Sequence, residues 1–437
     1  MRVKARKTMD NITETHEYII SHWEQAVIAP ENAASPSLYV KPFTPPCIDG
    51  PFKSLFYWDT YFTNKGLIAD GRTEDAKNNV DNLLNAVKKY GFVPNALSMH
   101  LLKFCSQPPY LYLMVKDVFE ATGDKKWFKK AYPRLKDEYF FWQTERITPT
   151  GLNRYYHHSL PDYELLDYYD VVANDRLKLA GEKTKEEKIA LAHGFIAVAE
   201  SGMDWTPRFG FCGDEIIPVD LNSHLYAFEN MLFEAALDFE PEKAPFFGKA
   251  AQNRKRLMDE YLKEKDGLYY DYNFVTGKRS EINCSAQFMP FFAGLLNDKK
   301  VFNRLIDGLL HKNGVVSVEK TDDRIAYQWG YPNSWAPDNY LAYVAAKACG
   351  EEEKAKEIAD KYLNTVADAF EKTGRLWEKY DGVHGGVATV NEYDVPEMLG
   401  WTAGVFEYFL KAKPKINFSA NVIVCKDFLT IKTKNIL

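Results

Sequence analysis

Apolar residues recur at intervals of three and four from about residue 10 to about residue 412, the spacing of one face of an α-helix. In the stretch Ala76 to Val87, the apolar side chains mostly fall on one side when the chain is wound into a helix. Thr73 before this stretch is a predicted N-cap, and Gly91 after it is a predicted helix end. The pattern therefore predicts an amphipathic helix between these two residues.

The same pattern repeats along the chain without a clear linker or low-complexity segment. Residues 225–236, 341–348 and 355–366 form further apolar faces, and the last two end near Gly350 and Gly374. About one helix every 30 to 40 residues gives roughly a dozen, the number that six helical hairpins require. We therefore predict a single all-α domain, an (α/α)6 barrel over residues 1–412.

The last segment of the chain has a different composition. Residues 413–437 are rich in β-branched and aromatic side chains, which predicts one or two short strands. We expect this C-terminal extension to pack on the helical domain.

Charge and hydropathy narrow the possible partners. The formal net charge of −6 gives no electrostatic reason to bind nucleic acid or an anionic membrane, so a small neutral ligand fits better. The N-terminus lacks the apolar run of a signal peptide, and no stretch of about 18 apolar residues occurs. These features predict a cytoplasmic protein, as a monomer or a small homo-oligomer.

The cysteine and histidine spacings indicate neither a metal nor another cofactor. Six cysteines are present without a CxxC pair, so we expect reduced and mostly buried thiols. The HxH, HExxH and calcium-loop patterns are absent from the sequence. We expect no metal site and no cofactor.

The segment Gln328 to Pro337, QWGYPNSWAP, contains an amide, three aromatic rings and two prolines within ten residues. Proline lacks an N–H and restricts the residue before it, so this segment is unsuited to a helix interior. Sugar rings present apolar C–H faces together with hydroxyl groups, which suits a pocket of aromatic rings and amides. The segment therefore predicts an aromatic loop at a carbohydrate site.

Two carboxyl groups occur just beyond predicted helices, in segments crowded with aromatic residues. Asp204 lies in ESGMDW, and Glu378 lies in LWEKYD, four residues past Gly374. Hydrolysis of a glycosidic bond needs one carboxylic acid and one carboxylate. Most acidic residues in a chain this long are surface charges. The pair alone therefore does not indicate catalysis, and only the surrounding sequence can favour that interpretation.

Several segments resemble, in order, the signatures of the trehalases of glycoside hydrolase family 37. QWGYPNSWAP resembles the family's QWDYPNGWAP, with differences at Gly330 and Ser334. The other matching segments are YWDTYF at 57–62, VPN at 93–95, SQPP at 106–109, ESGMDW at 200–205, PVDLN at 218–222, EKYD at 378–381, NEY at 391–393 and GWTAG at 400–404. The resemblance covers roughly residues 40 to 410.

This resemblance implies an inverting hydrolase of α-glucosidic bonds, with Asp204 as general acid and Glu378 as general base. It also implies a set of substrate-binding residues. They are Trp58, Asp59, Asn95, Gln107, Gln328, Trp335, Glu392 and Trp401. Core packing is an equally good explanation for Trp335 and Trp401.

An acid and a base in one site need opposite protonation states. We expect burial beside Trp205 to raise the pKa of Asp204. Glu378 would stay ionised if the Lys379 ammonium faces it, although Lys379 could equally point into solvent.

The resemblance fails at three arginines that trehalases place around the two glucose units. Those positions fall on Pro51, on Cys105 and, in a weaker alignment, on Leu160. Arginine offers five fixed donors, so its loss should weaken binding of the leaving group. Trehalose is the first expectation, followed by another disaccharide or a compound such as glucosyl- or mannosylglycerate.

Two other classes of protein remain open on the sequence. A sugar epimerase would use paired histidines, and the chain has His157 and His158, although neighbours in sequence point in different directions. A non-catalytic sugar-binding protein would keep the aromatic pocket but would not need both Asp204 and Glu378.

Overall fold

The computed structural model describes residues 2–100, 104–179, 181–322, 325–391 and 394–412. The α-helices within this part of the chain are α1 (Arg2–His22), α2 (Tyr57–Ala69), α3 (Thr73–Tyr90), α4 (Leu111–Thr122), α5 (Lys125–Glu145), α6 (Asp162–Asp170), α7 (Lys185–Glu200), α8 (Val219–Phe239), α9 (Ala244–Tyr261), α10 (Met289–Phe292), α11 (Lys299–Leu309), α12 (Ala336–Ala348), α13 (Glu352–Thr373) and α14 (Gly400–Ala412).

Twelve of these helices alternate between an outer and an inner ring. The inner helices α2, α4, α8, α10, α12 and α14 each follow an outer helix, and α14 packs against α2 to close the ring. Burial distinguishes the two rings, since ten of the thirteen residues of α2 are buried but only six of the eighteen of α9. This arrangement confirms the predicted all-α (α/α)6 barrel.

Helices α6 and α7 pack on each other outside the twelve barrel helices and connect α5 to α8. Between them lies a π-helical turn, Val171–Arg176. A capping box starts α7, because the Thr184 hydroxyl accepts from the Glu187 N–H and the Glu187 carboxylate accepts from the Thr184 N–H. The sequence pattern did not reveal this added hairpin.

Short antiparallel strands connect the loops at one end of the barrel. β1 (Ile216–Ile217), β2 (Tyr272–Asn273) and β3 (Lys278–Arg279) form one sheet, and β4 (Leu310–His311) pairs with β5 (Gly314–Val315). β6 (Asn333–Trp335) pairs with β7 (Lys379–Asp381), with Asn333 opposite Asp381 and Trp335 opposite Lys379. The last pair brings the QWGYPNSWAP and EKYD segments side by side.

The predicted helix ends hold with one correction. Gly91 ends α3 in the left-handed conformation at φ +83°, which glycine adopts at little cost. Thr73, however, is the first helical residue rather than the N-cap, a position that Arg72 occupies without a side-chain cap. The start of α3 is instead supported by the Arg72 to Asp75 ion pair at 2.7 Å.

Two sequence predictions cannot be placed in this fold. The C-terminal strands at 413–437 and the site residue Glu392 lie outside the described residues. The division into a domain at 1–412 and an extension stays a prediction. Among the helices that the structure describes, none is both long and apolar enough to span a bilayer.

Closure of the inner ring depends on two glycines that let α2 and α14 approach each other closely. A β-carbon added at Gly404 would lie 2.1 Å from the carbonyl oxygen of Phe62, and one at Gly66 would lie 2.6 Å from the Gly404 α-carbon. Backbone atoms cannot move aside as a flexible side chain can. The contact therefore excludes larger residues.

We predict that Gly404→Ala lowers the melting temperature, because the added methyl group forces the two helices apart at a cost of about 1–3 kcal/mol or more. Gly308→Ala in α11 is the matched control, since its β-carbon would meet no atom within 4 Å. The control should raise stability by about 0.5–1 kcal/mol through helix propensity. Equal melting temperatures for the two variants, measured by calorimetry, would contradict the close-contact explanation.

Candidate active site

A cavity lies at the end of the barrel where several inner helices begin. Its described lining comprises Phe52, Phe56, Trp58, Asp59, Asn95, Gln107, Gly202, Asp204, Gln328, Trp329, Trp335, Glu378, Met398 and Trp401. Trp58 and Asp59 belong to the first turn of α2, Trp335 directly precedes α12, and Trp401 is in the first turn of α14. Helix N-termini carry partial positive charge, so this end of the barrel favours acidic groups.

Three carboxyl groups share the cavity: Asp59, Asp204 and Glu378. Asp59 and Glu378 are buried, and Asp204 is half-buried. Burial raises the pKa of Asp59 well above its ordinary value, and the negative charges of Glu378 and Asp204 raise it further. Burial also raises the pKa of Asp204 to about 6, against the opposing effect of the Arg176 positive charge.

Four tryptophan rings form the apolar walls of the cavity. Trp329 stacks on Trp335 with centroids 4.1 Å apart and planes 4° apart. Trp401 stands edge-on to Trp335, at 5.5 Å and 90°, and edge-on to Trp58, at 5.9 Å and 86°. These rings present flat faces and edges of the kind that pack against the C–H faces of a sugar.

The amide side chains of the lining are held by neighbouring groups. Gln107 Oε1 accepts a hydrogen bond from the Trp58 backbone N–H at 3.1 Å. Gln328 Oε1 accepts one from the Lys379 ammonium at 2.6 Å. Lys379 is fully buried and also lies over the Trp335 ring at 4.9 Å, so the prediction that it could point into solvent is wrong.

Hydrogen bonds join the segments that carry the two predicted catalytic carboxyls to the aromatic loop. The Trp329 N–H donates to the Trp205 carbonyl at 3.2 Å, directly after Asp204. The Trp401 indole N–H donates to the Glu378 carbonyl at 3.0 Å. Together with the β6–β7 pair, these bonds fix residues that are far apart in the sequence around one cavity.

The turn that carries Asp204 has a tightly constrained backbone. Gly202 has φ +72°, and a β-carbon there would lie 2.7 Å from the Trp58 ring. Trp205 adopts φ +55°, which is uncommon for a residue with a side chain and costs roughly 1–3 kcal/mol. The turn therefore packs closely against Trp58, and its Asp204 side chain lines the cavity.

A buried carboxylate behind the site holds three segments together. Glu200, the last residue of α7, accepts two hydrogen bonds from the Arg146 guanidinium, at 2.7 and 2.8 Å. It also accepts from the backbone N–H groups of Ser106 at 2.8 Å and Tyr156 at 2.7 Å. Ser106 precedes Gln107, and Glu200 is four residues before Asp204, so this carboxylate supports both.

Nine of the ten predicted site residues line this cavity, and Glu392 lies outside the described residues. Their catalytic and binding roles stay predictions. Sequence reasoning missed Trp329 and Gly202, although both lie inside the quoted motifs, and it also missed Phe52, Phe56 and Met398.

A second, larger cavity of about 400 Å³ lies at the opposite end of α2, α4 and α14. Lys65 and Asp117 in its wall pair with each other at 2.6 Å, and Lys411 pairs with Asp70 at 3.0 Å. Its described lining contains no tryptophan and no side-chain amide, so it lacks the features expected of a sugar site.

The histidines that an epimerase would need are elsewhere in the fold. His157 Nε2 lies 2.7 Å from His193 Nδ1, and the two rings stack at 4.9 Å. His158 packs beside the ring of Phe92. No histidine belongs to the described lining of the cavity, and no group of three potential metal ligands occurs among the residues that the structure describes.

Comparison with known proteins identifies the family. The family model described as Trehalase matches residues 2–413. The chain belongs to the trehalase family. It is therefore a glycoside hydrolase of the trehalase type, as the resemblance predicted.

Similar curated proteins agree with this membership, and solved structures share the fold. The periplasmic trehalase of Xanthomonas axonopodis pv. citri is 29% identical over 433 residues, covering 92% of this chain and 74% of the relative. That of Pseudomonas aeruginosa is 28% identical over 427 residues, covering 90% and 74%. Neutral trehalase Nth1 of Saccharomyces cerevisiae has the same fold, with a TM-score of 0.71, 24% identity and coverage of 85% of this chain and 73% of that one.

A GH63 mannosylglycerate hydrolase from Thermus thermophilus is a more distant structural neighbour, with a TM-score of 0.61 and 15% identity. The alignment covers 90% of this chain and 99% of that one. This likeness supports the barrel fold of the trehalase-family chain.

The predicted cytoplasmic location is wrong. Curated relatives from Xanthomonas and Pseudomonas are named periplasmic trehalases, and these names contradict the prediction. The prediction rested on the absence of an apolar run of the signal-peptide or membrane-spanning kind, and such an absence does not establish a compartment. The five described cysteines are free thiols, three of them buried, and this state gives no information about location.

We predict that Glu200→Gln lowers both the melting temperature and kcat, because it leaves the buried Arg146 guanidinium without its ionic partner. Breaking a buried ion pair costs about 3–5 kcal/mol. The control is Glu260→Gln in the exposed Arg256–Glu260 pair, whose side chains are 62% and 52% accessible. Exposed pairs contribute about 0–1 kcal/mol, so calorimetry should show little change in the control. A Glu200→Gln variant as stable and active as this control would refute the supporting role.

Proposed function

We propose that this protein hydrolyses an α-glucosidic bond with inversion, trehalose being the first candidate substrate, with Asp204 as general acid and Glu378 as general base. The observation that carries the proposal is that both carboxyl groups line one cavity walled by tryptophan rings. Family membership supplies the reaction class. The two acidic residues are 174 positions apart in the sequence (378 − 204), so only the fold brings them together.

In this mechanism Asp204 donates a proton to the glycosidic oxygen as the bond to the anomeric carbon breaks. A pKa of about 6 suits this role, because a general acid works best when its pKa is near the working pH. Burial of Asp204 beside Trp205 provides the rise, as expected from the sequence. The general acid then becomes a carboxylate, which must be reprotonated before the next turnover.

Glu378 accepts a proton from the water that attacks the opposite face of the anomeric carbon. Inversion needs about 6.5–9.5 Å between the two carboxyl groups, so that this water fits between the base and the sugar. Asp59 adds a third acidic group to the same cavity, and its raised pKa favours the protonated form. A protonated Asp59 both donates to a sugar hydroxyl and leaves the negative charge on Glu378.

The remaining lining residues hold the sugar that is cleaved. Asn95, Gln107 and Gln328 carry amides, which donate and accept hydrogen bonds at once and so match hydroxyl groups. Trp335 and Trp401 pack against the C–H faces and limit the entry of bulk water. The same four-ring wall lowers the local polarity, and this lower polarity helps to raise the pKa of Asp204.

A second candidate substrate is a different α-glucoside, because the leaving-group side departs from the family. By the resemblance, the positions where trehalases carry arginine fall on Pro51, on Cys105 and, in a weaker alignment, on Leu160. The cavity lining in the described part of the chain contains no lysine or arginine. Another disaccharide or a glucosylated small acid therefore stays a candidate beside trehalose.

We predict that Asp204→Asn and Glu378→Gln each reduce kcat by several decades on trehalose, since each removes one half of the proton transfer. General acid or base catalysis contributes about 10²–10⁴-fold. Asp214→Asn, outside the lining, is the control for Asp204. Activity within tenfold of the wild type in either site variant, with unchanged circular dichroism, would remove that residue from the mechanism.

We predict that kcat/KM falls about tenfold per pH unit above a pH near 6, because Asp204 loses the proton that it must donate. The sign follows from the acid role, since the ionised form that prevails above the pKa is inactive. Initial rates from pH 4 to pH 9 measure this limb. A kcat/KM that rises with pH through this range would reject Asp204 as the acid.

A further inference from the structure

A sugar leaving group presents oxygen atoms that accept hydrogen bonds. The described lining contains no cationic side chain that could donate to them. The described lining has three carboxyl groups and neither lysine nor arginine. Asp204, the proposed acid, must lie beside the bond between the sugar and its leaving group. A residue that contacts the leaving group therefore has to reach the cavity close to Asp204.

Arg176 lies beside the turn that carries Asp204, just outside the described lining of the cavity. It is the last residue of the π-helical turn Val171–Arg176, in the hairpin that the chain adds between α5 and α8. Its guanidinium carbon lies 6.0 Å from the centroid of the Trp205 ring, over the residue that follows Asp204. Arg176 is exposed, whereas Trp205 is buried, so the guanidinium lies on the solvent side of the turn.

The charge of Arg176 also acts on the proposed acid. It is the cation that opposes the rise in the pKa of Asp204. The charge therefore acts on Asp204 from the side of the Trp205 ring, over which the guanidinium lies. π-Helical turns occur frequently at functional sites, which is a second indication from the backbone.

We propose that Arg176 binds the leaving group and selects α-glucosides whose leaving group carries several oxygen acceptors, such as the hydroxyl groups of a second sugar. The proposal rests on the proposed function above. A guanidinium has five donors in a fixed plane and no acceptor, so it matches adjacent oxygen atoms better than a lysine ammonium does. Arg176 would thereby supply the positively charged donor that Pro51, Cys105 and Leu160 cannot supply.

The test compares two substrates that share the glucosyl group and differ in the leaving group. Trehalose has a leaving group with several hydroxyls, whereas α-glucosyl fluoride releases only fluoride. kcat/KM is measured on both substrates for the wild type, Arg176→Ala, Arg176→Lys and the control Arg256→Ala. Arg256 is an exposed arginine on α9, so the control removes the same charge far from the turn.

We expect Arg176→Ala to lose about 10- to 100-fold in kcat/KM on trehalose, the range of a hydrogen bond to a charged group, and less than threefold on α-glucosyl fluoride. Arg176→Lys should recover part of the loss. Removing the guanidinium should also move the basic limb of the trehalose pH profile to higher pH, because the pKa of Asp204 then rises. Arg256→Ala should match the wild type on both substrates.

Equal losses on the two substrates, or no loss on trehalose, would overturn the role of Arg176. Wild-type enzyme that hydrolyses α-glucosyl fluoride but not trehalose would reject the selection of a second sugar. Wild-type enzyme that cleaves neither substrate would instead reject the proposed function, so the two failures are distinguishable.

Discussion

The approach of α2 to α14 is the constraint on which the rest of the site depends. Gly66 and Gly404 allow the two helices to meet backbone to backbone, and this contact closes the inner ring. Closure places Trp58 and Asp59 at the start of one helix beside Trp401 at the start of the other. The Trp401 indole N–H in turn donates to the Glu378 carbonyl, so the same contact also positions the Glu378 segment.

Electrostatics then determines what the cavity can do. Three carboxyl groups in a low-polarity space cannot all ionise easily, because each charge lacks water and repels the others. Asp204 and Asp59 both have raised pKa values, with burial as the main cause. Helix N-termini provide partial positive charge at the same end of the barrel. An acid and a base can therefore coexist in this cavity near neutral pH.

The sequence predicted the barrel and the cavity residues for different physical reasons. Helical spacing and terminal glycines such as Gly91 depend on local conformation, so they could be recognised without the fold. The nine placed site residues were found because their motifs resemble those of trehalases.

The Glu200–Arg146 pair could not be predicted, since four separate segments meet there only after folding. The direction of Lys379 was also undetermined, because it depends on the pairing of β6 with β7. The compartment was mistaken because it was inferred from absent apolar runs, and such an absence does not determine where a protein is located.

In the proposed mechanism, Asp204 and Glu378 act on opposite faces of one anomeric carbon. The most direct measurement is proton NMR of the glucose anomers that form first from trehalose, before mutarotation. Inversion predicts equal amounts of α-glucose and β-glucose, since the attacked unit changes configuration and the leaving unit does not. Formation of α-glucose alone would mean retention and would contradict the assignment of Glu378 as a base acting on water.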